Sequence, residues 1–138
     1  MNKEELVKRA YEAQQFSYSP YSGFQVGAAL LTKGGKVYTG CNIENAAFSP
    51  TNCAERTAFF KAISEGEKEF EAIAIVGNKK GALAEEREFC TPCGVCRQVM
   101  VEFVNPEEFL IFLGKGEEIK TFTLKELLPE SFSPSMVN

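Results

Sequence analysis

Short apolar runs of strand length alternate with helical segments along this chain, and that alternation limits the fold to a sheet with helices packed on its faces. Phe24–Leu31 and Lys36–Asn42 flank Thr32-Lys33-Gly34-Gly35, the pattern of a β-hairpin. Phe70–Gly77, Glu108–Leu113 and Ile119–Thr123 are the remaining strand candidates. The first helix opens at Asn2 and Glu5, spaced as a capping box, and sets Leu6, Val7, Ala10, Tyr11 and Gln14 on one face. A second is expected from Cys53 to Ser64, closed by Gly66, and a third from Pro92 to Phe103, stopped ahead of Asn105-Pro106. Leu124–Leu128 is read as a short last helix ended by Pro129, and the polar stretch 78–89 as a loop or a single helical turn. The expectation is an α/β fold, a three-layer α/β/α sandwich with a five-stranded mixed sheet, in one domain spanning residues 1–138.

The 138 residues include no histidine. No Ser-His-Asp triad, Cys-His dyad or histidine metal site can be built from this chain alone. Acid–base chemistry near neutral pH then falls to a carboxylate, Cys, Lys, Tyr or metal-bound water. A net charge of −4 argues against a protein that coats nucleic-acid phosphates. The N-terminal residues lack the apolar stretch of a signal peptide, and no apolar run approaches ~18 residues. A cytoplasmic protein with reduced thiols is expected, without a membrane or nucleic-acid partner.

Five cysteines, at 41, 53, 90, 93 and 96, are an odd count, and three of them fall within seven residues, which suits a metal site better than a disulfide framework. Thr91-Pro92-Cys93-Gly94-Val95-Cys96 is expected to open the third helix, with Thr91 as N-cap and Pro92 at the first helical position. Cys93 and Cys96 then share one face of the first turn, where exposed N–H groups and the helix dipole stabilise thiolates. Taken alone, this C-x-x-C fits two buried cysteines as well as a metal or redox pair. Asn52-Cys53-Ala54-Glu55-Arg56 opens the second helix, and Asn52 with Glu55 also has capping-box spacing, which by itself accounts for Glu55. The combination of Cys-x-Glu at one helix start with Pro-Cys-x-x-Cys at another is the signature of zinc nucleobase deaminases.

With those motifs in place, the chain resembles the small homotetrameric cytidine deaminases of pyrimidine salvage. The likeness runs from Tyr18-Ser19-Pro20-Tyr21-Ser22-Gly23-Phe24-Gln25-Val26-Gly27-Ala28-Ala29, through Asn42-Ile43-Glu44-Asn45-Ala46, Cys53-Ala54-Glu55-Arg56 and Pro92-Cys93-Gly94-Val95-Cys96-Arg97-Gln98, to Glu126-Leu127-Leu128-Pro129. The resemblance implies one zinc ion per subunit on Cys53, Cys93 and Cys96, with water as fourth ligand. It makes Glu55 the proton shuttle in hydrolysis of cytidine and 2′-deoxycytidine to the uridine product and ammonia. It assigns substrate contacts to Phe24, Asn42, Glu44, Ala54 and Thr91, the Asn42 and Glu44 side chains at the ribose 3′-hydroxyl. Ala46, Phe48 and Phe132 match positions that a neighbouring subunit contributes to the pocket.

Three thiolates and one zinc ion sum to −1, a charge that two helix dipoles and hydrogen bonds from Arg56 to ligand sulfurs are expected to offset. The family usually has tyrosine where this chain has Phe48 and alanine where it has Val95, and 78–89 is longer than the common family loop. Cys90-Thr91-Pro92-Cys93 is itself a C-x-x-C, so a closed four-cysteine structural zinc site stays open as an alternative. Cys41 is read as a buried small hydrophobe. Among enzymes the rival is a deaminase of another aminopyrimidine nucleoside, such as a nucleoside antibiotic. The non-enzyme rival is a zinc-stabilised binding domain.

Overall fold

The computed structural model describes residues 1–137. It consists of α1 (Lys3–Gln14), β1 (Phe24–Thr32), β2 (Val37–Cys41), α2 (Ala54–Ser64), β3 (Phe70–Lys79), α3 (Gly94–Phe103), β4 (Leu110–Lys115), β5 (Glu118–Thr123) and α4 (Leu124–Leu127), with 3₁₀ turns at Ala84–Glu86 and Pro134–Met136. The five strands form one sheet in the order β2-β1-β3-β4-β5. β1 runs antiparallel to both β2 and β3, β3 and β4 are parallel, and β5 returns antiparallel. The parallel pair is bridged by α3, as a crossover requires. The mixed sheet and the layering agree with the sequence expectation.

Alternation along the strands divides the core between the two faces. Ala29 and Leu31 of β1, with Ala72, Ala74 and Val76 of β3, pack on Leu6, Val7 and Ala10 of α1. Ala28, Leu30, Ile73, Ile75, Ile111 and Leu113 point the other way, against Ala58, Phe59, Cys96 and Met100 of α2 and α3. The small side chains mark where helices come closest. A β-carbon on Gly27 would fall 2.1 Å from the Ala10 carbonyl oxygen and 2.6 Å from the Gln14 backbone nitrogen. One on Gly40 would fall 2.5 Å from the Ala54 carbonyl oxygen and 2.6 Å from the Ala58 nitrogen. Gly40 therefore lets the first turn of α2 sit directly on the end of β2.

Two helix starts differ from expectation. α3 begins at Gly94, with extended Cys93 (ψ 166°) as its N-cap in place of Thr91. Cys93 Sγ accepts the Cys96 N–H at 3.4 Å, the bond that a Ser or Thr oxygen makes at other helix starts. α2 begins at Ala54 with Cys53 as N-cap, and the Asn52 amide donates to Thr57 Oγ1 at 3.2 Å, so the Asn52–Glu55 capping box does not form. The Asn2 cap does form, its Oδ1 accepting the Glu5 N–H at 2.8 Å. β3 runs two residues past Gly77, and 78–89 holds the single turn Ala84–Glu86. Among the described residues no helix is long and apolar enough to cross a membrane.

Because the atoms facing Gly27 are backbone atoms of α1, Gly27→Ala must push the whole helix off the sheet. Its expected cost is about 3 kcal/mol, the upper part of the overpacking range. This would be read as a lower urea midpoint at unchanged m-value.

Candidate active site

Both cysteine N-caps lie at the same end of the sheet, which brings together residues 40 positions apart. Cys53 Sγ and Cys93 Sγ are 3.8 Å apart, Cys93 Sγ and Cys96 Sγ 3.4 Å, and all three lie within 4.8 Å of one another. Two sulfurs each ~2.3 Å from one tetrahedral zinc ion are about 3.8 Å apart, so this trio has the spacing and donor chemistry for zinc. Cys96 is buried and Cys93 exposed, and Cys53 and Cys93 line a cleft that reaches solvent. The Arg56 Nη2 donates to Cys53 Sγ at 3.3 Å, the contact expected from sequence. Arg56 occupies the third position of α2, where the acidic member of a capping box would stand. Its cation reaches back to the sulfur at the N-cap.

Three sulfurs this close share protons unequally. The hydrogen bond from Cys96, with Arg56 alongside, holds the Cys53 thiol well below its ordinary value, at about 5. The same contact with Cys53, reinforced by burial, pushes the Cys96 thiol up. Such a set favours a divalent cation, which displaces the remaining protons. Glu55, at the second position of α2, is only 4% exposed. Burial raises its carboxyl to about 7, and the nearby Cys53 charge adds to the rise. That value suits a group that both takes and returns a proton near neutrality.

Phe24, Asn42, Glu44, Ala54, Thr91, Cys53, Cys93 and Glu55 line one cleft of about 260 Å³, near the lower end of the ligand-pocket range. All five proposed substrate contacts are thus gathered beside the sulfur trio. Asn42 and Glu44, however, are already engaged. Asn42 Oδ1 accepts the Val26 N–H at 2.9 Å and the Ser17 hydroxyl, while its Nδ2 donates to the Phe24 carbonyl at 2.8 Å. One Asn42 N–H is left for another partner. Glu44 Oε1 accepts the N–H groups of Tyr21 (3.0 Å) and Ser22 (3.1 Å), and Oε2 accepts the Ser22 hydroxyl. The Ser22 contacts, chiefly its hydroxyl, hold Glu44 below its ordinary value, so it is an anion at neutral pH. Ser17 and Ser22 were not singled out from sequence. The turn-rich loop that contains them offers no clue to which distant side chain they fasten.

Ala46, Phe48 and Phe132 do not line this cleft, and all three are exposed, Phe48 at 89%. Cys90 lines it but lies outside the sulfur trio, and burial pushes its thiol up to about 12. The four-cysteine alternative is therefore not formed. Cys41 is half-buried at the end of β2, nearer the surface than expected. Val95 is exposed on the first turn of α3, where its extra bulk meets solvent.

Residues 1–112 match the family model described as the cytidine and deoxycytidylate deaminase zinc-binding region. A cytidine deaminase from Halalkalibacterium halodurans is 47% identical over 139 residues, covering 100% of this chain and 99% of the relative. A blasticidin-S deaminase from Bacillus cereus is 32% identical over 130 residues, covering 94% and 91%. The crystal structure of a cytidine deaminase from Burkholderia pseudomallei superposes with a TM-score of 0.85 at 42% identity, covering 96% of this chain and all of that one. The sulfur trio, the buried acid beside it and these full-length similarities agree: the chain belongs to the cytidine deaminase family, with a zinc-binding deaminase domain.

Proposed function

We propose that this protein hydrolyses cytidine and 2′-deoxycytidine to uridine and 2′-deoxyuridine with release of ammonia. The observation that carries the reading is a buried carboxyl, Glu55, lining the same cleft as Cys53 and Cys93 of three converging sulfurs. Cys53, Cys93 and Cys96 would hold zinc, which supplies a Lewis acid that lowers the pKa of water so that it attacks at neutral pH.

The chain's own residues account for the rest. Glu55 accepts a proton from the attacking water and delivers it to N3 of the cytosine ring. It then takes the proton of the new C4 hydroxyl to the exocyclic nitrogen, which leaves as ammonia. Two transfers through one carboxyl require that it regain its starting state between them, and handing each proton on to a ring or exocyclic nitrogen does so. Phe24 offers an aromatic face to the pyrimidine. The main-chain groups of Ala54 and Thr91 meet the base edge. The free N–H of Asn42 and the anionic Glu44 donate to and accept from the ribose 3′-hydroxyl. A carboxylate there repels the phosphodiester of a polynucleotide, which favours a free nucleoside. The cytidine deaminase at 47% identity stands well above the blasticidin-S enzyme at 32%, which supports cytidine over an antibiotic nucleoside.

Arg56 tunes the metal core by donating to Cys53 and reducing the charge that three thiolates place there. The assembly proposed is a homotetramer in which a neighbour's Ala46, Phe48 and Phe132 complete the cleft. Its support is the exposure of two large phenylalanines, 89% at Phe48 and 62% at Phe132, among the apolar side chains that a single copy leaves at its surface.

Glu55→Gln is expected to keep its zinc and lose cytidine turnover by about 10³-fold or more, followed by ultraviolet absorbance and ammonia release. Undiminished turnover would end the proton-shuttle role. Arg56→Gln should also retain zinc while slowing turnover by about tenfold, the scale of a lost outer-sphere contact. A rate equal to the parent's would remove that role. Light scattering should find a particle of four 15.3 kDa chains, and a monomer active on cytidine would exclude completion of the cleft by a neighbour.

A further inference from the structure

Two residues of the cleft wall, Phe24 and Cys90, pack against a residue that has no side chain. We infer that Gly77 is a positioning residue for the substrate: lacking a β-carbon, it lets Phe24 and Cys90 lie against the sheet and so fixes the room left for the pyrimidine ring. The inference rests on reading the cleft as a nucleoside site.

Gly77 lies near the end of β3, paired with Val26 of β1, on the sheet face that carries α2 and α3. A β-carbon there would stand 2.8 Å from Cys90 Sγ, 2.9 Å from Cys90 Cβ and 3.0 Å from Phe24 Cε1. Real β-carbons almost never come within 3.0 Å of such atoms, so Cys90 would have to move, while the Phe24 ring would have to give by a few tenths of an ångström. The backbone is not the reason for glycine here, because Gly77 is not among the residues with positive φ. Space alone demands it. Cys90 has its back to the packed interior beneath α2 and α3, and the open side, away from β3, is the cleft that it and Phe24 both line. A side chain at 77 therefore presses the Cys90 thiol away from β3 toward the volume a base would fill, and shifts the Phe24 ring, which borders that volume and, with Gly77, a second hollow. Cys90 also precedes Thr91, so its displacement carries to the main chain proposed to meet the base edge. Gly77 touches no substrate atom itself and acts through these two residues.

Four proteins test this: the parent, Gly77→Ala, Cys90→Gly and the double variant, each in its zinc-loaded form. Gly77→Ala should raise KM for cytidine by about tenfold or more, the scale of one misfit methyl group in a fitted pocket, with kcat changed by less than about threefold. Its zinc content should equal the parent's, and its crystal structure should show Cys90 displaced toward the cleft and the Phe24 ring shifted. Removing the Cys90 side chain should rescue it, bringing the double variant's KM to within about threefold of that of Cys90→Gly.

A parent-like KM in Gly77→Ala, no rescue in the double variant, or Phe24 and Cys90 unmoved in the crystal would each overturn the inference. Should Gly77→Ala fail to fold, the double variant against Cys90→Gly carries the test, and a double variant that also fails overturns it. A parent that leaves cytidine intact defeats the nucleoside reading instead, and the displacement in the Gly77→Ala crystal would still be expected.

Discussion

Like charges gathered in one place repel, and the structure is organised around making that gathering tolerable. Three sulfurs lie within 4.8 Å of one another with a carboxyl buried beside them, in a chain whose net charge is already −4. The compensation is built from backbone. Cys53 and Cys93 are both helix N-caps, so the trio sits at two helix starts, each worth roughly half a positive charge. Arg56 adds a full charge at 3.3 Å from Cys53. Neither helix could present its cap there without Gly40, which lets α2 rest on β2, and the β3–β4 crossover, which swings the start of α3 back to the same sheet end.

A second layer of order surrounds that charge cluster. The loop between α1 and β1 is long and polar, and two side chains from the far end of β2 hold it. Asn42 bonds both the Val26 N–H and the Phe24 carbonyl, fixing the start of β1, while Glu44 accepts three bonds from Tyr21 and Ser22. These bonds cost the two residues some capacity to meet a ligand, but they orient what remains. A carboxylate whose oxygens are already pinned loses little side-chain entropy when a hydroxyl arrives. On the proposed reading, binding and wall-building would be one function in these two residues.

Much of this was legible in the residues. Apolar alternation located all five strands, and the two cysteine motifs named the trio and Glu55, because chemistry-bearing residues at helix starts keep their spacing whatever packs around them. The helix starts themselves were misread by one or two residues. Oxygen-bearing side chains dominate capping preference, which pointed to Thr91 and Asn52, and it carries no weight for a sulfur that accepts an N–H as Cys93 does. The partners of Asn42 and Glu44 were hidden for a different reason. Their bonds span 16 to 25 residues and depend on where a turn-rich loop folds back, which local pattern does not encode. Gly77 left no trace at all, since a glycine at the end of an apolar strand reads as a loop boundary until its neighbours are known.

The division between rigid and adjustable parts follows from these placements. Proton transfer demands atoms held to a fraction of an ångström, and Glu55 of α2 and Cys96 of α3 are both buried in close-packed surroundings. The proposed nucleoside contacts lie instead at element ends and in loops: Phe24 at a strand start, Glu44 beyond a strand end, Thr91 ahead of a helix. Changes there alter the shape of the cleft without touching the charge balance at the helix starts. On the proposed reading, a fold built this way could vary which aminopyrimidine it accepts while keeping one chemistry, because Phe24, Asn42 and Glu44 stand on other elements than Glu55 and the sulfur trio, and only Ala54 shares α2 with the acid.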